Sequence, residues 1–112
     1  MIRERDKARK ILNVIVEYFV THDFKNISAN VSLEETYTNI NIKGVVNPIF
    51  IDIDKLKKIL NHPRVVAYDN YYDELLDSDN QEEIKIIGYL IDEAEVNLDN
   101  NLLTINLIRK YI

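Results

Sequence analysis

Two stretches of this chain repeat every second residue, and that period limits what the chain can fold into more than any other feature. In the first, Ile27, Ala29, Val31 and Leu33 alternate with Asn26, Ser28, Asn30 and Ser32; after Glu34-Glu35, Thr36, Thr38, Ile40 and Ile42 alternate with Tyr37, Asn39, Asn41 and Lys43. Neighbouring side chains on a strand point to opposite faces, so each run has an apolar side and a polar side. A hairpin centred on the two glutamates pairs Leu33 with Thr36, Val31 with Thr38, Ala29 with Ile40 and Ile27 with Ile42. A slip of one residue would mix the faces. Glu-Glu is a poor two-residue turn, so a wider loop is the alternative.

The carboxyl end carries the second alternating stretch. A turn at Asn100-Asn101 pairs Leu98 with Leu103, Val96 with Ile105 and Ala94 with Leu107, leaving Glu95, Asn97, Asp99, Leu102, Thr104 and Asn106 on the other side. Asn tolerates the positive backbone angles that tight hairpin turns require.

Between and before the hairpins the period changes to that of a helix. Over residues 4–20, Ala8, Ile11, Leu12, Ile15, Tyr18 and Phe19 recur in steps of three and four, with Val14, Val16 and Val20 widening the stripe. Gly44 to Phe50 reads as a connector with a short extended piece at Pro48–Ile51. Asp52 or Asp54 is placed to cap a second helix whose covered side is Ile53, Leu56, Ile59 and Leu60. Asn61 or His62 then caps a third, with Pro63 in its first turn and Val65, Tyr68, Tyr72, Leu75 and Leu76 as its stripe. After Asp77-Ser78-Asp79-Asn80, helicity resumes near Gln81 or Glu82 through Ile84, Ile87, Leu90 and Ile91; a strand through Ile84 and Ile86 is the alternative. Gly88 weakens that helix slightly but allows close packing.

Two amphipathic hairpins separated by helices predict one α+β domain over residues 1–112. It is a two-layer sandwich in which the hairpins form one antiparallel sheet covered by three or four helices. A length of 112 residues is enough for a core without covalent staples. The polar hairpin rows leave the other side of the sheet to water or to a hydrophilic partner.

Composition removes several kinds of chemistry from consideration. Cysteine is absent, which excludes disulfides, thiolate nucleophiles and Cys-ligated metals. No apolar run is long enough to cross a membrane and the first residues are charged, so the expectation is a cytoplasmic chain with no membrane insertion. With only Gly44 and Gly88 available, Gly-rich phosphate cradles cannot be built, and no cofactor is expected. Asp77-Ser78-Asp79-Asn80-Gln81 begins like a calcium loop, but Glu82 stands where Gly is required and Gly88 where the bidentate acid belongs. No metal site is expected.

Charge is uneven along the chain. The formal net charge is -5, and between Asp69 and Glu95 ten carboxylates face one Lys85; Arg3–Lys10 by contrast has five positive and two negative side chains. The overall field opposes nucleic acid, whose phosphates demand a basic surface. Asp69, Asp73 and Asp77 recur at four-residue spacing, where like charges repel on a helix, and Tyr71 lies beside them. These four residues are the candidate interface, and a basic patch on a protein partner would relieve the repulsion while Tyr71 contributes buried area. Tyr68 and Tyr72 are expected in the core, and Tyr37 on the polar hairpin face. His22 and His62 belong to no recognisable metal or catalytic spacing.

The leading expectation is therefore a noncatalytic protein-interaction or regulatory domain, with a homo-oligomer as one form of partnership. A small hydrolase or small-molecule-binding domain, its site assembled only in three dimensions, is the first alternative. A structural subunit of a larger assembly is the second.

Overall fold

The computed structural model describes residues 2–72 and 83–111. The chain runs α1 (Ile2–Thr21), β1 (Lys25–Leu33), β2 (Tyr37–Val45), a 3-10 turn (Pro48–Phe50), α2 (Ile53–Leu60), a 3-10 segment (Val66–Tyr71), α3 (Glu83–Leu90), β3 (Glu93–Asp99) and β4 (Leu102–Lys110). The four strands form one antiparallel sheet in the order β1-β2-β4-β3, so the second strand of each hairpin lies in the middle. The helices pack against one face: α1 on β1, β2 and α3, and α2 on β3 and α3.

The strand order follows the size of the inward residues. Thr38, Ile40, Ile42 and Gly44 of β2 and Leu103, Ile105, Leu107 and Arg109 of β4 are all buried. The edge strand β1 offers Ala29 and Val31 where its neighbour offers isoleucines, and its inner row is only partly covered. Placing the bulkiest rows beneath the helices removes the most apolar surface from water.

The carboxyl-terminal hairpin has the expected register, Leu98 with Leu103, Val96 with Ile105 and Ala94 with Leu107, and Asn100 carries the positive φ of 55°. The first hairpin is displaced. Leu33 pairs with Thr38, Val31 with Ile40 and Ala29 with Ile42, two residues from the simple register. The turn advances to Glu35-Thr36 and is closed by the Glu34 amide donating to the Tyr37 carbonyl at 2.9 Å. A two-residue shift preserves the faces, which is why alternation alone cannot distinguish the two registers.

Other expectations also need correction. Pro48–Phe50 is a 3-10 turn, because the Asn47 side chain accepts the Ile49 amide and the prolyl ring supplies a helical φ. Asn61 closes α2 by donating its own amide to Lys57 instead of opening a third helix. The segment beyond Pro63 becomes helical only at Val66, in a 3-10 form with no side-chain cap. Val20 lies beyond the covered stripe of α1 and is exposed. As expected, the Asp52 carboxylate caps α2 by accepting the Lys55 amide at 3.1 Å, and a helix spans Glu83–Leu90.

The end of α1 shows how this chain manages with little glycine. Asp23 takes a φ of 62°, the Phe24 amide donates to the Phe19 carbonyl at 3.0 Å, and the Asp23 amide to that of Val20 at 3.4 Å. This is the doubly bonded helix stop usually built with glycine, here with Asp in the left-handed position. It stacks Phe24 on Phe19, their centroids 4.1 Å apart. The stack needs Gly44, since a Cβ there would stand 2.8 Å from Phe24 Cδ2 and 2.9 Å from Phe19 Cδ2. Gly88 is tighter still. A Cβ on it would stand 2.2 Å from the Ile59 carbonyl oxygen of α2.

Gly88→Ala tests that approach. Alanine gains about 1 kcal/mol in helix propensity, but the backbone of α2 must move, and overpacking of this kind costs about 1–3 kcal/mol or more. A net loss of stability is expected, read as a lower urea midpoint. An unchanged or higher midpoint would refute the close α2–α3 packing.

Candidate functional site

Of the acidic stripe expected at residues 69–77, Asp69 lies among the described residues, on a 3-10 segment. A 3-10 segment repeats every three residues, so side chains three apart share a side. Asp69 and Tyr72, the residue that follows the segment, are both buried, while Tyr68 and Tyr71, also three apart, are 38% and 58% exposed; Val66, which opens the segment, is exposed as well. The expected pairing of Tyr68 with Tyr72 would need a four-residue step. Asp73 and Asp77 lie outside the described residues, as do Leu75, Leu76 and Asp77-Ser78-Asp79-Asn80-Gln81.

Asp69 enters a buried charge cluster that centres on Arg109. The side chain of Arg109 is 2% exposed. Its Nη1 donates to Asp69 Oδ1 at 3.2 Å and to the Leu90 carbonyl at 2.6 Å; its Nη2 donates to Asp69 Oδ2 at 3.1 Å and Glu4 Oε1 at 3.2 Å; its Nε donates to Glu4 Oε2 at 2.9 Å. All five guanidinium N–H groups are thus engaged. Glu4 belongs to the first turn of α1 and Leu90 ends α3, so an acid at one helix start and an orphan carbonyl at another helix end meet the same cation. Arg64 extends the cluster: its Nη2 donates to Asp69 at 2.7 Å, and its Nη1 to Asp92 at 2.7 Å and the Lys110 carbonyl at 2.6 Å. Its Nε is buried without a partner among the described residues. With Lys7 at 3.5 Å from Glu4, three acids face three bases among the described residues.

Charge neutrality decides the protonation of the cluster. Burial pushes the Asp69 carboxyl up, but hydrogen bonds and charges from Arg109 and Arg64 outweigh it and hold the group below its ordinary range. Glu4 behaves likewise, with burial opposed by Arg109 and Lys7. Tyr72 donates its hydroxyl to Asp6 at 2.7 Å, which ties the inward side of the 3-10 segment to α1 as well.

The exposed side is aromatic. Tyr68 meets the edge of Tyr89 at 5.4 Å and 73°, and His62 meets the same ring at 4.3 Å and 79°. Val66 and Tyr71 are exposed as well. Neither histidine is recessed. His62 Nδ1 lies 2.7 Å from the Pro63 carbonyl, and His22 Nδ1 lies 2.8 Å from that of Tyr18, against whose ring it packs.

On the far side, the uncovered sheet face presents Tyr37, Asn39, Asn41 and Lys43 beside Thr104, Asn106 and Ile108. Asn41 Nδ2 donates to Asn106 Oδ1 at 3.2 Å. An open depression of about 270 Å³ is lined by Ser28, Ala29, Asn30, Asn41 and Lys43, which bring no acid and no histidine into it. Among the described residues no helix is long and apolar enough to cross a membrane.

Sequence reasoning did not single out Arg109, Arg64 or Glu4. One signal was present: Arg109 continues the inward row Leu103, Ile105, Leu107, where a cation has no reason to stand unless acids meet it. No family model, curated protein or solved structure matches this chain.

Arg109→Ala removes the guanidinium that Glu4 and Asp69 share, leaving Glu4 to Lys7 and Asp69 to Arg64, and removing one partner of a buried pair costs about 3–5 kcal/mol, measurable by urea denaturation. A loss below about 1 kcal/mol, the scale of an exposed ion pair, would refute the structural role. The acid response has a defined sign. Both carboxyls titrate lower in the folded chain than unfolded, so their stabilisation is complete above the ordinary carboxyl range and is lost as pH falls through that range and then through their lowered folded values. Unfolding midpoints measured from pH 6 downward should fall in that window. A flat profile would contradict it.

Proposed function

We propose that this chain is a noncatalytic protein-interaction or regulatory domain that presents Tyr71, with Tyr68, to a protein partner. The observation that carries this reading is the exposure of both rings on one side of a 3-10 segment whose other side is fixed inside the protein. Exposed tyrosines supply amphipathic contact area with few rotors to immobilise, and they are enriched where interfaces concentrate their energy. Asp69 contributes by anchoring the segment, since its carboxylate is engaged by two arginines.

The charge preference for a partner with a basic patch rests on Asp73 and Asp77 and on the acidic composition around them. A cytoplasmic setting accords with the cysteine-free composition and belongs to the same proposal. A small hydrolase draws less support, because both imidazoles lie at the surface against backbone carbonyls.

Affinity capture on the immobilised full chain tests the reading. Tyr71→Ala should lower retention of the captured protein by about tenfold or more, the scale of an aromatic contact residue, and raised salt should weaken it further. Because Tyr71 is exposed, the variant should keep its unfolding midpoint. A captured set identical for the wild type and Tyr71→Ala would overturn the assignment.

A further inference from the structure

Among the described residues the sheet has two open edges, β1 and β3, and the sequence treats them differently. β3 sets Glu93, Glu95 and Asp99 along seven residues, the kind of charge that keeps an edge from pairing. β1 has nine residues, no proline and a single charge, Lys25 at its start. The inner row of β1 is also poorly covered: Ala29 is exposed, Val31 is half-buried and Leu33 is 37% exposed.

The hairpin register fixes which backbone groups of β1 are unpaired. The Glu34 amide donates to the Tyr37 carbonyl, so this pair is of the hydrogen-bonded type. Along an antiparallel ladder the types alternate. Ser32, Asn30 and Ser28 therefore direct their amides and carbonyls to β2, and Leu33, Val31 and Ala29 direct theirs to the open edge. The residues with free backbone groups are those with half-covered apolar side chains.

We propose that β1 pairs with β1 of a second copy of this chain, antiparallel about a two-fold axis at Asn30, to make a continuous eight-stranded sheet. In that register Ala29 faces Val31 and Ile27 faces Leu33 of the other copy. At the Ala29–Val31 pairs each partner then presents edge-directed backbone groups and inward side chains, so the ladder and the apolar row are completed together. The irregularity between Lys25 and Ser28 ends the flat run near its margin, and Ser28–Leu33 remains regular.

Charge selects the same arrangement. The two-fold brings Lys25 of each copy to the end where Glu34 and Glu35 of the other copy turn back, whereas parallel pairing would set like against like. The hairpin from Lys25 to Val45 carries two lysines and two glutamates. It is electroneutral within a chain of net charge -5, so the acidic excess lies away from this edge. The surface and the partner are both distinct from those of the Tyr71 reading and do not depend on it.

Sedimentation equilibrium of the full chain over a concentration series tests the proposal. The wild type should be a reversible dimer. Lys25→Glu and Glu35→Lys, both at exposed positions, should each raise the dissociation constant about tenfold at low salt, because the symmetry repeats every contact twice. The double variant should recover wild-type affinity. Val31→Pro removes an edge-directed amide without breaking a bond to β2 and should give a monomer; if that variant unfolds, the charge reversals decide.

Tyr71→Ala should leave the dimer intact. A wild type that is monomeric at about 100 μM, weaker than specific self-association requires, would leave the edge to water or to an extended segment of another protein and overturn the proposal. A dimer indifferent to both reversals, or lost only with Tyr71→Ala, would place the contact elsewhere and overturn it equally.

Discussion

Arg109 is the point where the layers of this protein are fastened. Its guanidinium lies on the inner face of β4 and holds the first turn of α1 through Glu4, the last turn of α3 through the Leu90 carbonyl, and the 3-10 segment through Asp69. A cation at that depth is tolerable only when every donor is matched and its charge is neutralised. Both conditions are met, and meeting them requires each element to arrive in one position. Apolar packing alone accepts small slides of a helix along a sheet. A planar fork with five directed donors does not. The buried pairs therefore act mainly on register, since replacement of such a network by apolar residues is often neutral or favourable for stability.

The parts of the fold visible in the sequence are those governed by short-range periods. The alternation of Ala94, Val96 and Leu98 against Leu103, Ile105 and Leu107 defines a hairpin because Asn100-Asn101 fixes its turn chemically. The first hairpin lacks such a turn, and its faces were legible while its register was not. The side on which Asp69 lies is not legible locally, because four-residue steps fit Tyr68 and Tyr72 as well as three-residue steps fit Asp69 and Tyr72. The choice between them is made by Arg109, forty residues downstream. The same distance in sequence hid Glu4, whose partner is 105 residues away. Local pattern found the layers; the charges that align them are nonlocal.

The unequal coverage of the sheet has a simple cause in the same inventory of side chains. β2 and β4 place Ile40, Ile42, Leu103, Ile105 and Leu107 beneath the helices, and the Phe19–Phe24 stack descends onto Gly44. The helical layer is thereby centred on the middle strands. On the β3 side α2 reaches the edge, while on the β1 side only α1 does. Small residues at Ala29 and the serines of β1 match a margin where little packing is available. An edge with weak side-chain cover and free backbone groups is where a further strand gains most.

The interior cluster and the outward aromatic pair belong to one short segment, and on the proposed reading this links stability to recognition. A free 3-10 turn of six residues would be marginal, with poorer hydrogen-bond geometry than an α-helix. Here Asp69 and Tyr72 pin it from within, and the three-residue period then sets the direction of Tyr68 and Tyr71. Rings held in this way lose little freedom on contact, which lowers the entropic cost that limits affinity at small interfaces. Any substitution that loosens Arg109 should therefore reach the surface at Tyr71 before it disturbs the distant sheet face. The coupling runs through the backbone of one turn and needs no longer path.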